Sequence, residues 1–371
     1  MLGGAAMTPR LEPVRFDDLV GFEADDALAG FVAFARSARA LCDGAAPTRP
    51  GRSPSPRLVA IAREALGAKI RDAADARRFF AARFRAFRVD PEEGDGKGLL
   101  TGYYEPRIKG SPTRAAEFTA PILARPRDLV AFPPGAAPAG FDSVPSGARR
   151  LGDGTLRPYP DRAAIEAEGG EALLWLADPV EVFFVQVQGS ARVELPDGRE
   201  VRLAYDGRNG QPYTSIGRLL IEAGEIAERE MSLARLKAWL REHGLEPGDA
   251  GRALMQRNRS YVFFKIEAEF DPSQGPIGGA GVALTPLRSI AVDRSIWAYG
   301  TPLWIDAELP WRGEAASPFR RLTIAQDTGS AILGAARADI YFGGGEAAGE
   351  RAGAIRHRGA FTVLLPLGDE P

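Results

Sequence analysis

Between Tyr261 and Pro366 short apolar runs alternate with glycine and proline. Runs of this kind, cut at intervals by turn formers, build short strands joined by tight turns. They predict a β-barrel in the last third of the chain. Everything upstream must be fitted around that barrel.

The first quarter has a different character. Residues 12 to about 90 read as helical: Phe16, Leu19, Val20 and Phe22 form an apolar cluster, and Leu28, Phe31, Val32 and Phe34 continue it at helical spacing. A loop rich in Pro, Gly, Arg and Ser covers 46–56. The helical pattern then resumes over 58–87, where Phe79, Phe80, Phe84 and Phe87 make an aromatic stripe that core packing explains. Leu99 to Tyr104 reads as a strand entering a turn at Pro106. Residues 110–160, dense in Pro and Gly, read as surface loop. Over 180–205 the pattern predicts a hairpin, with one strand from Val182 to Gln188, a turn at Pro196-Asp197-Gly198 and a return strand at Val201-Arg202-Leu203. Helices are expected near 214–224, 232–243 and 248–257. The helix-rich start, the central block and the closing β region are not repeats of one unit.

Composition narrows the chemistry. Of 371 residues, 45% are hydrophobic and 26% charged, the balance of a globular chain with a substantial core. The formal net charge of −2 gives no global field that would attract nucleic acid. Cys42 is the one cysteine, so no intramolecular disulfide forms, and Ala40-Leu41-Cys42-Asp43 does not read as a lipid-attachment box. His243 and His357 are far apart in sequence. Too few ligands remain for a zinc site, and Ser-His-Asp or Cys-His catalysis is weakened for the same reason. The run Met1 to Met7 shows no basic segment followed by an apolar one, and no stretch approaches about 18 continuous apolar residues.

The densest chemistry lies in the last fifth. Thr323 to Gln326 is a strand leading into Asp327-Thr328-Gly329-Ser330, and twelve positions later comes Asp339 in Arg337-Ala338-Asp339-Ile340-Tyr341-Phe342-Gly343-Gly344-Gly345. Two carboxylates brought to one cleft can be tuned apart, one protonated and one ionised. The plainer account of an Asp beside Gly is a turn residue. The glycines at 343–345 lack the Gly-Lys-Ser/Thr of a phosphate loop. Asp327-Thr328-Gly329 is also the aspartic-protease signature, but those enzymes pair two such aspartates, and no second Asp-Thr/Ser-Gly occurs. A protease reading would require a homodimer and would leave the Asp339 segment unexplained.

One family accounts for more residues. Gly279 to Gly353 resembles the three-aspartate (3D) domain of bacterial cell-wall enzymes, its acids standing at Asp293, Asp327 and Asp339, with Tyr299-Gly300-Thr301-Pro302-Leu303-Trp304-Ile305 between. Upstream, Leu100-Thr101-Gly102-Tyr103-Tyr104-Glu105-Pro106, Pro158-Tyr159-Pro160-Asp161-Arg162, Gln186-Val187-Gln188-Gly189-Ser190 and Ser260-Tyr261-Val262-Phe263-Phe264 occur in order. Together they resemble the membrane-bound lytic murein transglycosylase A (MltA) family over about residues 98 to 366.

The resemblance implies a mainly β fold with an α-helical N-terminal part, a double-psi β-barrel domain with a second, smaller β domain inserted. Residues 1–105 and 256–371 would form the first, discontinuous domain and 106–255 the insertion, with the glycan held in a groove between them. It implies a murein lytic transglycosylase that cleaves the MurNAc–GlcNAc bond of peptidoglycan glycan strands without water, giving 1,6-anhydroMurNAc ends. Asp339 would be the catalytic acid and base, with Asp327 supplying a nearby charge. No cofactor and no metal are implied. The alternative is a peptidoglycan-binding module without activity. Thr101 and Tyr103 match groove-lining positions, for which a strand hydroxyl and a packed aromatic are the plainer reading. Gln186 and Gln188 alternate along the expected strand and would offer amides to sugar hydroxyls, unless they mark the polar outer face of a hairpin. Asp293 is expected to be structural, and His357 receives no role. Ser330 stands where the family usually has Gly. The family implies a periplasmic or outer-membrane location, yet its lipoprotein signal is not visible in this sequence.

Overall fold

The computed structural model describes residues 9–91, 96–132 and 147–369. The expectation made on Met1 to Met7 lies outside them, as does part of the loop expected over 110–160. The described residues form two compact units. One contains the chain up to Tyr104, Ser273–Gly343 and the chain from Ala347 onward; the other contains Glu105–Pro272 and Gly344–Glu346.

In the first unit six strands close on themselves. The neighbours run Arg356–Pro366, Pro302–Leu309, Ser317–Asp327, Ser289–Val292, Arg337–Gly344 and Gly98–Glu105, and the last pairs back with the first. This is the barrel expected from the alternation after Tyr261, with Leu99–Tyr104 supplying a strand from far upstream. Ser289–Val292 runs parallel to Ser317–Asp327 and antiparallel to Arg337–Gly344. Along Pro302–Leu309 the period of two is plain. Leu303, Ile305, Ala307 and Leu309 fill the core they share with Ile290, Val292, Phe319, Ile340 and Phe361, while Trp304 points the other way, against the helices.

The helices are set by their caps. Asp26 accepts the Ala29 N–H at the start of Ala27–Asp43, and Gly44 ends that helix at φ 64°. Ser55 and Asp72 cap Pro56–Gly67 and Ala73–Ala81 in the same way. Their apolar faces bring Phe31, Phe34, Phe79 and Phe80 onto the outside of the barrel. A buried ion pair fastens the two layers: Arg288 Nη1 and Nη2 each donate to Asp25 at 2.8 Å, and Asp25 also accepts the Leu322 N–H at 3.0 Å.

The helical reading of 12–90 fails at both ends. Arg10–Val14 and Phe84–Asp90 are paired strands, and Phe84–Asp90 pairs in turn with Arg356–Pro366. The reason is burial on two sides. Phe84 and Ala86 face the helices while Phe87 and Val89 face the barrel core, so the strand lacks the in–out alternation that would mark it. The four phenylalanines are core residues, as expected.

The second unit mixes strands and helices. Ser190–Glu194 and Glu200–Arg208 form the hairpin around Pro196-Asp197-Gly198 and continue into a four-stranded sheet with Val262–Glu267 and Arg107–Lys109. Short strands at Ala120–Leu123, Leu129–Ala131, Gly147–Arg150 and Leu156–Pro158 replace much of the loop expected over 110–160. The three helices expected downstream are present as Ile216–Glu222, Leu233–Glu242 and Ala250–Arg257.

The first arm of the predicted hairpin is a helix, Pro179–Gln188. Val182-Phe183-Phe184-Val185 has strand composition, but the flanks decide. Asp178 accepts the Glu181 N–H at 2.9 Å, Pro179 occupies the first turn, and Gly189 closes the helix at φ 83°. Gln186 and Gln188 therefore do not share a strand face. Gln186 is buried, with no hydrogen-bond partner for its Oε1 among the described residues, and Gln188 is half-buried.

Candidate functional site

Three adjacent barrel strands place the two acids. Ala291 on the central strand is in register with Asp327 on one side and with Asp339 on the other. Residues in register on neighbouring strands point to the same face, so both carboxylates leave the sheet together, their backbones roughly 9–10 Å apart. Thr101 and Tyr103, two apart on Gly98–Glu105, meet them there. Thr101 Oγ1 donates to Asp339 Oδ1 at 2.8 Å, and Tyr103 Oη donates to Asp327 Oδ2 at 2.9 Å. Gly102 between them lies so close to Ala352 and the Phe342 ring that a Cβ would approach both to under 3.0 Å, which fixes the depth of this strand.

The two acids have opposite surroundings. Asp327 is buried and satisfied on every side. Besides Tyr103 it accepts the Gly279 N–H at 2.8 Å, and Arg49 Nη1 lies 3.5 Å from Oδ1. Arg49 is itself anchored: its side chain donates to the Thr328 carbonyl, its N–H to Gly279 O at 3.1 Å, and its carbonyl accepts from Tyr299 Oη at 2.9 Å. Burial, then the charge of Asp327, holds the Tyr103 phenol well above its ordinary range, so it remains a donor.

Asp339 is half-buried by surface area, but protein surrounds its carboxyl closely. That loss of solvation pushes its pKa up. The field of Arg337 and the Thr101 hydrogen bond oppose the shift, and Asp327 reinforces it. The direction is what an acid needs to hold a proton, and the remaining exposure leaves a way in for a reactant. Asp339 has no ion pair among the described residues. Arg337 reaches it only at one remove, donating from Nη2 to Thr101 Oγ1 at 2.7 Å.

The remaining predicted positions sort by contact. Asp293 binds its own turn, accepting from Ser295 N at 3.0 Å, Ser295 Oγ at 2.6 Å and Gly334 N at 2.8 Å, which agrees with a structural role. Ser330 is exposed, so its hydroxyl fits without strain. His357 takes a hydrogen bond from the Arg356 N–H and touches neither acid. Gln186 and Gln188 belong to the second unit. Sequence reasoning missed Arg337 and Arg49. The first carried a signal, since residues two apart on a strand share a face; the second, 278 positions before Asp327, carried none. Among the described residues no cluster of His, Cys, Asp and Glu could hold a metal. The cation against Asp327 also removes the aspartic-protease reading, which requires a carboxylate free to share a proton.

Comparison with known proteins identifies the family. The MltA specific insert domain matches residues 99–265, and the 3D domain matches residues 288–365. The membrane-bound lytic murein transglycosylase A of Escherichia coli K12 is 33% identical over 284 residues, covering 75% of this chain and 68% of that protein. A crystal structure of a membrane-bound lytic murein transglycosylase from Agrobacterium tumefaciens superposes with a TM-score of 0.84 at 35% identity, covering 96% of this chain and 98% of the other. The Escherichia coli MltA structure with bound chitohexaose gives a TM-score of 0.63 at 27% identity, covering 96% and 91%. With the barrel, its paired acids and both matched domains in hand, the chain belongs to the membrane-bound lytic murein transglycosylase A family.

Proposed function

We propose that this chain cleaves the β-1,4 bond between MurNAc and GlcNAc in peptidoglycan, with Asp339 as the single group that first gives and then takes the proton. The observation that carries the assignment is an enclosed carboxyl that has no direct cation among the described residues and keeps partial exposure, surroundings that push its pKa up. Protonated Asp339 delivers its proton to the bridging oxygen as the C1–O bond breaks. The ionised carboxylate then accepts the proton of the MurNAc C6 hydroxyl, whose oxygen bonds to C1. The product carries a 1,6-anhydro ring and no water is consumed. Asp327, tied to Arg49, Tyr103 and Gly279, acts through its charge and as an anchor for the loops around it, and is not a second proton carrier. Tyr103 serves it as a fixed donor. Thr101 belongs to Asp339.

The second unit is proposed to contribute to glycan binding. Gln188 remains a candidate sugar contact there, while the burial of Gln186 argues against that role for it. The membrane-bound character of the relatives supports work at a membrane, and we place the chain in the periplasm or at the outer membrane. Among the described residues no helix is long and apolar enough to cross a bilayer. Mass spectrometry of products released from purified sacculi tests the chemistry: anhydroMurNAc ends are expected, and reducing MurNAc ends would overturn the mechanism.

A further inference from the structure

The Thr101 hydroxyl sits between two partners of unequal freedom. Arg337 Nη2 lies 2.7 Å away and Asp339 Oδ1 2.8 Å away. A guanidinium has only hydrogens to offer, whereas a hydroxyl has one hydrogen and two lone pairs. Arg337 therefore occupies a lone pair of Thr101, and the one hydroxyl hydrogen is left for Asp339. Among the described residues the Thr101 hydroxyl has no other hydrogen-bond partner. For Oδ1 to carry the proton, the hydroxyl hydrogen would have to turn toward a site where no acceptor waits. Oδ2 of Asp339 has no hydrogen-bond partner among the described residues and is free of this constraint.

We propose that Arg337 is a positioning residue which, through Thr101, fixes Oδ1 of Asp339 as a permanent acceptor and leaves Oδ2 as the oxygen that exchanges the proton. The inference rests on the reading of Asp339 as the acid and base. The cycle closes on one atom. Oδ2–H gives its proton to the bridging oxygen, which leaves with the C1–O bonding pair. O6 then forms the new bond to C1, and its proton returns to Oδ2.

The same arrangement explains why a cation stands near an acid that must sometimes be neutral. A guanidinium paired directly with the carboxylate would hold it ionised. Held one hydroxyl away, Arg337 supports the ionised stage without a bond that protonation must break. The other charged and titratable groups around Asp339 include Asp327 on the Ser317–Asp327 strand, Tyr103 on Gly98–Glu105 and, two residues along its own strand, Tyr341 packed against Tyr103, with Arg49 beyond Asp327. Tyr103 bonds to Asp327 and not to the Asp339 carboxyl.

The test compares wild type with Arg337→Met, Arg337→Lys, Thr101→Val, the Arg337→Met/Thr101→Val double variant and Asp339→Asn. Two readouts are taken: the pH profile of kcat on purified glycan strands, and the carbon-13 titration of the Asp339 carboxyl, identified by its loss in Asp339→Asn. Arg337→Met is expected to lower kcat about tenfold to a hundredfold with little change in KM, and to raise the carboxyl midpoint. Arg337→Lys, which keeps a charged donor, should restore kcat to within a few-fold. Thr101→Val should match Arg337→Met in kcat, and the double variant should be no slower than either, because one chain of contacts is cut once or twice. Should Arg337→Met fail to fold, Thr101→Val and Arg337→Lys carry the same comparison. Additive losses, or an Arg337→Met enzyme with unchanged kcat and midpoint, overturn the relay while an inactive Asp339→Asn leaves the acid–base reading standing. Full activity in Asp339→Asn overturns both.

Discussion

Asp327 and Asp339 flank Ala291 from opposite sides on adjacent strands, yet only Asp327 is held by a cation. The barrel register brings the acids together, and their neighbours then separate them chemically. Arg49, Tyr103 and the Gly279 N–H surround Asp327, while enclosure without a direct cation pushes the pKa of Asp339 up.

Tyr103→Phe removes a hydrogen bond to a buried carboxylate and leaves the ring packing with Tyr341 intact. A loss of about 1.5–3 kcal/mol in unfolding free energy is expected from urea titration. The products should remain anhydro sugars, because Tyr103 does not bond to Asp339. A change of product type would contradict the assignment of Tyr103 to Asp327.

The raised pKa of Asp339 has a cost in stability. The folded chain keeps this proton to higher pH than the unfolded chain does. Between the ordinary carboxylate value and the higher folded value the native state binds more protons, so stability falls as pH rises through that window. Asp339→Asn removes the liability and still offers an oxygen to Thr101. Thermal unfolding should show the variant more stable than wild type at neutral pH, with the gap shrinking toward about pH 4. A variant less stable at neutral pH would count against a raised pKa.

Arg288 and Asp25 bind the first long helix to the barrel with both partners out of water. Arg288→Ala strands the Asp25 carboxylate in the core, and a loss of about 3–5 kcal/mol is expected. Chemical denaturation checks it. A loss below about 1 kcal/mol, as for an exposed pair, would mean that the pair is not buried in solution.

Some of this was legible in the sequence, for physical reasons. The barrel showed because short apolar runs between Tyr261 and Pro366 are cut by glycine and proline, as strands joined by tight turns must be. The family's motifs set Thr101 and Tyr103 at the groove, but their contacts with Asp339 and Asp327 were not legible, since neither pair is near in sequence. Phe84–Asp90 was hidden by burial on both faces. Pro179–Gln188 was misread because its β-branched and aromatic interior outweighed the Asp-Pro-x-Glu start and the Gly stop, and those caps determine the helix. Arg49 could not be found at all: a proline-rich loop has no period, and its arginine gains meaning only when folding sets it beside Asp327.

The central claim is that one carboxyl moves the proton both ways. The most direct measurement is the rate of anhydroMurNAc release from sacculi by Asp339→Asn beside wild type, with circular dichroism showing both folded. The account predicts a fall of at least ~100-fold, in line with the roughly 10²–10⁴-fold that acid–base catalysis contributes. A folded Asp339→Asn enzyme releasing anhydro products at the wild-type rate would contradict it.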